Sequence, residues 1–183
     1  MGILLAFLPF LVFVVVERSL GVTAGLVAAT ITSAALLVRD VIIRKRTIKI
    51  LEIGTIILFG GLAAYTLFAQ TKWSIPAVRL CVDSGLLIVV LVSIAVRQPF
   101  TLQYARENAP RESWDSPRFM RANYIITAAW AGAFALMVVA DLLMLFVPSV
   151  PTFVAIVVTV LAIWGAAQFT SWYPERELVK HSR

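Results

Sequence analysis

The sequence has little of what soluble enzymes use for chemistry. It contains one cysteine, Cys81, and one histidine, His181, in 183 residues. A lone cysteine cannot close a disulfide within the chain, so we interpret Cys81 as a small buried hydrophobe. A single histidine near the C-terminus excludes bis-histidine haem sites, histidine-based metal sites in the membrane and catalytic triads. Because GxGxxG, Walker, CxxC and HExxH motifs do not occur either, we expect no cofactor and no metal.

Charge is also scarce, since 14% of the residues are charged and 61% are hydrophobic. Soluble globular domains contain about 25% charged and about 45–50% apolar residues. The apolar runs are continuous rather than alternating, which favours membrane helices over the strands of a β-barrel. The sequence therefore predicts an all-α fold, a polytopic transmembrane helical bundle that forms a single transmembrane domain over residues 1–183.

Six stretches reach or approach the roughly 20 apolar residues that a spanning helix needs. They are residues 2–16, 20–38, 50–69, 75–96, 123–147 and 152–173. The first is short and contains Pro9, so it either spans the membrane under hydrophobic mismatch or forms a half-helix. A cleaved signal peptide is the remaining alternative, but no positive region precedes this stretch and no A-x-A site follows it.

The basic residues predict the orientation. If all six segments cross, thirteen arginines and lysines lie on one side of the membrane and only Arg18 and Lys72 lie in the loops of the other. Positively charged loops stay in the cytoplasm. We therefore expect a multi-pass protein of the bacterial inner membrane with a cytoplasmic C-terminus. This topology explains the net charge of +6 without a nucleic-acid partner.

Residues 97–122 form the only sizeable extramembrane stretch, on the predicted cytoplasmic side. Apolar and polar residues alternate in its first half, where the apolar positions are Phe100, Leu102, Tyr104 and Ala105. We interpret this pattern as an amphipathic segment that lies on the membrane surface, with Arg106 near anionic headgroups.

Three charged residues lie within apolar segments and are the principal candidates for a site: Arg79, Asp83 and Asp141. Arg79 and Asp83 are four residues apart, so they share one face of the fourth segment. A lone charge near mid-membrane costs roughly 2.5–3.5 kcal/mol on insertion scales. We therefore predict that Arg79 faces Asp83, Asp141 or both, as an interhelical clamp or as a substrate, ion or proton site. The clamp is favoured, because no further polar layer leads inward.

Secondary candidates lie in the inner half: Glu52, interpreted as an interfacial residue that faces the basic loop, and Asn123 and Gln168.

Small residues also recur every four positions, which lets helix backbones approach closely. They are Gly21, Gly25, Ala29 and Ser33, then the pairs Gly60 and Ala64, Ala128 and Gly132, and Ala162 and Ala166. We expect packing within the chain from these stripes, with a homo-oligomer face as the alternative.

Several short motifs resemble the intracellular septation protein A family over nearly the whole chain. They are Phe7-Leu8-Pro9, the basic loop after the second segment, Phe59-Gly60-Gly61-Leu62, Lys72-Trp73, and the Pro/Trp-containing loop that leads to Asn123 and Trp130. The resemblance implies a small bacterial inner-membrane protein linked to cell division and envelope synthesis through other membrane proteins. It implies no catalytic residues.

Three hypotheses for the function follow. The leading one is a non-enzymatic inner-membrane protein that contacts membrane lipids and other inner-membrane proteins, in cell-envelope or septation processes. The second is a small oligomeric transporter or channel that uses the charged residues of the fourth and fifth segments. The third is a lipid-acting membrane enzyme with Glu52 or the loop 97–122 near headgroups.

Overall fold

The computed structural model describes residues 5–43, 45, 47–147, 149 and 151–179, and within these ranges the chain forms helices and no strands. We label the α-helices in chain order as α1 (Leu8–Leu20), α2 (Val22–Val38), α3 (Ile50–Ala69), α4 (Ile75–Ala95), α5 (Phe100–Arg106), α6 (Pro117–Phe146) and α7 (Thr152–Val179). A π-helical turn at Arg39–Ile43 extends α2, and a 3-10 turn at Arg111–Ser113 precedes α6. His181 lies outside the described residues.

Five helices are long and apolar enough to cross a membrane, namely α2 with its π-helical turn, α3, α4, α6 and α7. This architecture fits the predicted multi-pass helical membrane protein. The first predicted segment is not among the five. Its helix, α1, has 13 residues and covers roughly 20 Å, which is less than the hydrocarbon thickness of about 30 Å.

The bounds of α1 follow from two residues. Pro9 is the second residue of the helix, where its missing N–H costs no intrahelical hydrogen bond. Gly21 has a φ of +89°, a backbone conformation that residues with a Cβ rarely adopt. It ends α1 and separates it from α2, and its N–H donates to the Glu17 carbonyl at 2.9 Å. The two helices are therefore joined by one residue and form a hairpin.

The chain divides into two compact units, Met1–Val89 and Val90–Arg183, with the boundary inside α4. In the first unit, α1 packs on α2 and α2 packs on α3. The apolar core of this unit draws residues from all four of its helices: Phe13, Leu26, Ala29, Phe59, Ala63, Val78 and Val82.

The stripe of small residues on α2 lets α1 approach closely. A Cβ built on Gly25 would lie 3.1 Å from the Glu17 nitrogen and 3.1 Å from the Phe13 carbonyl oxygen. Ala29 and Ser33 on the same stripe are buried. Packing within the chain is thus confirmed for the stripe on α2. Ala128 and Gly132 on α6 are both exposed, so for that pair a homo-oligomer face stays a prediction.

In the second unit, α6 packs along α7 and α5 packs on α6. The Trp130 indole donates a hydrogen bond from Nε1 to the Thr170 hydroxyl at 2.9 Å, which ties α6 to α7. The Trp130 ring also lies edge-on to Phe100, with ring centroids 6.3 Å apart. One buried indole thus joins all three helices of this unit.

The structure corrects the interpretation of α5 as a surface segment with its apolar face in the lipid. Phe100, Leu102 and Tyr104 are buried inside the protein, at no more than 6% exposure. Because the segment is helical, residues 100, 101 and 104 share a face, and that face packs on α6. Its apolar side chains are therefore not available to a lipid surface.

Candidate functional site

The first candidate site, which we call the Glu17 cluster, consists of Glu17, Arg79 and Asp83. Glu17 comes from the last turn of α1, while Arg79 and Asp83 lie one turn apart on α4. Glu17 and Asp83 are buried and Arg79 is half-buried. The positive charge of Arg79 attracts the carboxylate of Glu17 electrostatically, as does Arg18. The cluster thus links α1 to α4 through opposite charges.

Thr66, near the end of α3, and Trp73, in the turn that follows, contact each other. The Thr66 hydroxyl donates to the Leu62 carbonyl at 2.7 Å and accepts a hydrogen bond from the Trp73 indole at 2.7 Å. Trp73 also contacts the ring of Tyr65, with centroids 5.9 Å apart. These contacts tie the C-terminal half of α3 to the turn that follows it, so we assign Thr66 and Trp73 to packing.

Asp141 belongs to the second unit and is 1% exposed on α6. The expected contact between Asp141 and Arg79 stays a prediction. Within its own unit, Asp141 is the most deeply buried carboxylate among the described residues. A carboxylate buried in a spanning helix is by default a candidate functional residue in membrane proteins. Asp141 therefore remains a candidate.

The second candidate site, the Lys49 network, contains four charged residues: Arg39, Asp40, Lys49 and Glu52. Arg39 donates from Nε to Asp40 Oδ1 at 2.9 Å, and its Nη2 lies 2.7 Å from the same oxygen. The Lys49 ammonium lies 3.1 Å from Glu52 Oε1 and 3.7 Å from Asp40 Oδ2. Two cations and two carboxylates therefore neutralise each other across the gap between α2 and α3.

Local backbone structure holds the Lys49 network in place. Asp40 lies in the π-helical turn that extends α2, a feature that often marks functional positions in helices. Lys49 is the N-cap of α3, and its N–H donates to Glu52 Oε2 at 3.3 Å, as in a capping box. Glu52 thus binds both the backbone and the side chain of Lys49.

Sequence reasoning treated Lys49 only as one of the basic loop residues that set the topology. The structure buries it to 1% exposure, between Asp40 and Glu52. Asp40 was missed altogether, although it is the only acidic residue between positions 18 and 51. An acid alone within a strongly basic stretch is a recognisable signal for an ion pair.

Glu17 was missed for a different reason. The prediction placed it in an outer loop, because the apolar run ends at Val16. In the structure α1 continues to Leu20 and turns at Gly21, which carries Glu17 into the interior of the first unit at 8% exposure. The glycine was the available signal for this longer helix.

Asn123 takes part in a neutral hydrogen-bond network of the second unit. The Thr101 hydroxyl donates to the Asn123 carbonyl at 2.9 Å and lies 2.7 Å from the Thr127 hydroxyl. Because Thr101 has a single hydroxyl proton, Thr127 supplies the proton of the second bond. The Asn123 side chain donates to the Phe119 carbonyl at 2.8 Å. These bonds fasten α5 to α6, which assigns Asn123 a structural role.

Gln168, in contrast, lies on the exposed face of α7. Trp164 and Trp172, one turn before and one turn after it, are 59% and 46% exposed. A Cβ built on the neighbouring Gly165 would have no atom within 4 Å. We call Trp164, Gly165, Gln168 and Trp172 the α7 face.

The two charged sites lie near opposite ends of the first unit. Glu52 of the Lys49 network lies in the first turn of α3, whereas Arg79 of the Glu17 cluster lies near the start of α4, which follows the C-terminal end of α3. The core residues Phe59 and Ala63 lie between these two ends of α3. This arrangement can hold helices together at both ends by charge and in the middle by packing.

Comparisons with known proteins found no matching family model, no similar curated protein and no similar solved structure.

Proposed function

We propose that this chain is a non-enzymatic integral membrane protein that acts through contacts between its helices and other membrane proteins. The resemblance of its short motifs to the septation family suggests cell-envelope or division processes in a bacterial inner membrane as the setting. The observation that carries the proposal is the α7 face, an exposed surface with an amide and two indoles on a helix long and apolar enough to cross a membrane.

The composition of the α7 face is unusual for a surface that touches only lipid tails. Trp164 is the twelfth of the 22 residues of the span Phe153–Pro174, so it lies roughly 16 Å from the start of that span. Tryptophan prefers the two membrane interfaces, not the middle. An exposed Trp164 at this depth is better accommodated by a protein neighbour than by acyl chains.

Gln168 supports the same conclusion. Its amide carries two N–H donors and an acceptor oxygen, and hydrocarbon satisfies none of them. Side chains of this kind form hydrogen bonds between transmembrane helices. Gly165 beside it leaves room for a partner backbone to approach, because no atom of the described chain would touch a Cβ there.

Site-specific crosslinking in native membranes tests this proposal. A photoreactive residue replaces Leu161, which is 59% exposed one turn before Gly165, and in a control protein it replaces Leu136, which is 58% exposed on α6. We expect discrete protein adducts from position 161, lost when Gln168→Leu is added, and mainly lipid adducts from position 136. Equal protein adducts from both positions, or adducts insensitive to Gln168→Leu, would contradict the proposal. The adduct mass distinguishes a second copy from a different protein.

A small transporter or channel is the second candidate, and the Glu17 cluster favours it. Buried charged residues, such as those that α1 and α4 contribute here, typically line ion and proton pathways in membranes. Purified protein in liposomes, wild type against Asp83→Asn, tests this function by ion and proton flux. Flux that Asp83→Asn abolishes would establish transport, whereas no flux from a well-folded wild type would assign the cluster to helix packing.

A further inference from the structure

Two arginines of the second unit share one aromatic ring. The guanidinium carbons of Arg106 and Arg111 lie 5.4 Å and 5.7 Å from the ring centroid of Trp114. Trp114 is itself held in place, because its Nε1 donates to the Ala109 carbonyl at 3.1 Å. We call these three residues the Trp114 site.

Within the described part of the chain, the N–H donors of both guanidinium groups have no hydrogen-bond acceptor. Among the described residues, neither Arg106 nor Arg111 forms a hydrogen bond or an ion pair through its side chain, and the Nε of Arg106 is buried without a hydrogen-bond partner. A guanidinium has five N–H donors, so a contact with one aromatic ring leaves donors that point away from the ring for an acceptor. Two like charges on one ring repel each other, so an anion bound to both would stabilise the arrangement.

The stretch that contains the Trp114 site is positively charged as a whole. Residues 97–122 contain five arginines and three carboxylates, those of Glu107, Glu112 and Asp115, which leaves a net charge of +2. The carboxylates of this stretch therefore do not cancel its positive charge.

The length of α6 places the Trp114 site at the level of lipid headgroups. The helix has 30 residues and is therefore about 45 Å long, whereas the hydrocarbon core measures about 30 Å. The apolar part of α6 begins at Asn123. The start of the helix, Pro117–Ala122, and the Trp114 site before it therefore lie outside the hydrocarbon. Tryptophan and arginine both favour this interfacial layer.

We propose that the Trp114 site binds the phosphate of an anionic phospholipid headgroup. The N–H edges of Arg106 and Arg111 donate to the phosphate oxygens, a geometry for which guanidinium is well suited. Trp114 orients both side chains, and its interfacial position brings them to the phosphate layer of the leaflet. This site differs from the expected membrane contact of α5, because the buried apolar residues of α5 take no part in it.

Native mass spectrometry of protein released from nanodiscs tests the site. The nanodiscs contain equal amounts of phosphatidylglycerol and phosphatidylcholine, and the measured quantity is the retained phosphatidylglycerol per protein. Arg106→Gln and Arg111→Gln each remove one charge from the Trp114 site. Arg121→Gln, at an exposed position on α6, removes the same charge elsewhere and is the matched control. Trp114→Leu keeps every charge but removes the shared ring.

We expect Arg106→Gln and Arg111→Gln to lower phosphatidylglycerol retention roughly tenfold, the effect of losing one charge-assisted hydrogen bond. Trp114→Leu should lower it as well, because both arginines lose the ring that orients them. Arg121→Gln should change it by less than about twofold, as expected for an exposed charge. Equal losses from Arg121→Gln and Arg106→Gln would overturn the proposal in favour of a diffuse surface potential. Equal retention of phosphatidylcholine by the wild type would overturn it too.

Two further measurements are needed. One distinguishes a loss of lipid binding from misfolding, and the other distinguishes a lipid ligand from soluble phosphate. Circular dichroism and the melting temperature identify any variant that is misfolded, and Trp114→Phe, which keeps an aromatic ring, should retain most of the lipid if the site is correct. Inorganic phosphate, added in millimolar excess to detergent-solubilised protein, should not displace bound phosphatidylglycerol. Full displacement would contradict a lipid site and indicate one for soluble phosphate.

Discussion

The two units of the molecule stabilise their helices with different polar chemistry. In the first unit two sites link helices by charge, the Lys49 network and the Glu17 cluster. In the second unit two interhelical contacts are hydrogen bonds between neutral groups, Thr101 with Thr127 and Trp130 with Thr170. The first pair of sites depends on charge neutrality, whereas these two contacts depend on hydroxyl and indole geometry.

This difference determines how each unit responds to the loss of one partner. A buried charge that loses its counterion remains without compensation, which is strongly destabilising. A hydroxyl that loses its partner leaves only a neutral group unsatisfied, at a smaller cost. Single substitutions in the two charged sites of the first unit are accordingly expected to cost more stability than substitutions in these hydroxyl and indole contacts of the second unit.

The largest loss in the free energy of unfolding is expected for Lys49→Met. It leaves the carboxylates of Asp40 and Glu52 buried without their shared cation, which should lower the free energy of unfolding by about 3–5 kcal/mol. Titration with a denaturing detergent in mixed micelles, followed by circular dichroism, measures this change. Lys45→Met is the matched control, because Lys45 is exposed in the same loop.

The triple variant D40L/K49M/E52L completes this test. The variant replaces the three most buried members of the network and keeps Arg39, whose side chain is 30% exposed. Replacing buried ion pairs by apolar residues is often neutral or stabilising, so most of the stability lost in Lys49→Met should return. If the triple variant were as unstable as Lys49→Met, the shape of these side chains, and not charge neutrality, would determine the stability of this end of the first unit.

A smaller loss is expected for Gly25→Ala. The new methyl group would lie 3.1 Å from backbone atoms of α1, and overpacking of this kind costs about 1–3 kcal/mol. Gly132→Ala has no atom to meet within 4 Å and gains helix propensity, so it should leave the free energy of unfolding unchanged or raise it by about 0.5–1 kcal/mol. Thermal unfolding of the two proteins in the same micelle compares them. Equal destabilisation of both would refute the close approach of α1 and α2.

The smallest losses in the free energy of unfolding are expected for the hydroxyl groups of Thr101 and Thr127 in the second unit. Thr127→Val removes one hydrogen bond and should cost about 1 kcal/mol, while Thr101→Val removes two and should cost roughly twice as much. Hydrogen exchange of the amides of α5 reports the change directly, since these bonds fasten α5 to α6. If Thr127→Val were as damaging as Lys49→Met, the contrast between the two units would not hold.

The apolar pattern predicted most of the helical architecture. The bounds of α3 agree with the prediction at both ends, and those of α4 differ by one residue. Hydrophobicity is a property of local sequence, so it identifies long membrane helices well. It identifies their ends less well when polar residues continue the helix, as in α6, which begins at Pro117 after the N-cap Ser116 and not at Asn123. The Ser-Pro pair was a usable signal for that start.

The candidate sites were harder to predict, because partners of a charge depend on which helices become neighbours. The sequence identified Arg79 and Asp83 through their spacing, but the attraction of Glu17 for Arg79 needs the hairpin of α1 and α2. It identified Glu52 as facing basic residues, but which lysine it binds depends on the capping geometry of α3. Gln168 was chosen as a polar residue in an apolar segment, and only the structure shows that it lies on an exposed face.

The π-helical turn at Arg39–Ile43 makes this end of the protein sensitive to chain length. Such a turn closes with i→i+5 hydrogen bonds and so holds one residue more than an α-helical turn. Deleting one residue from it would allow an ordinary α-helical ending, but Lys49 and Glu52 would then stand one position closer to Asp40 along the chain. An insertion or deletion in this loop would therefore change which charges meet, even with every charged residue retained.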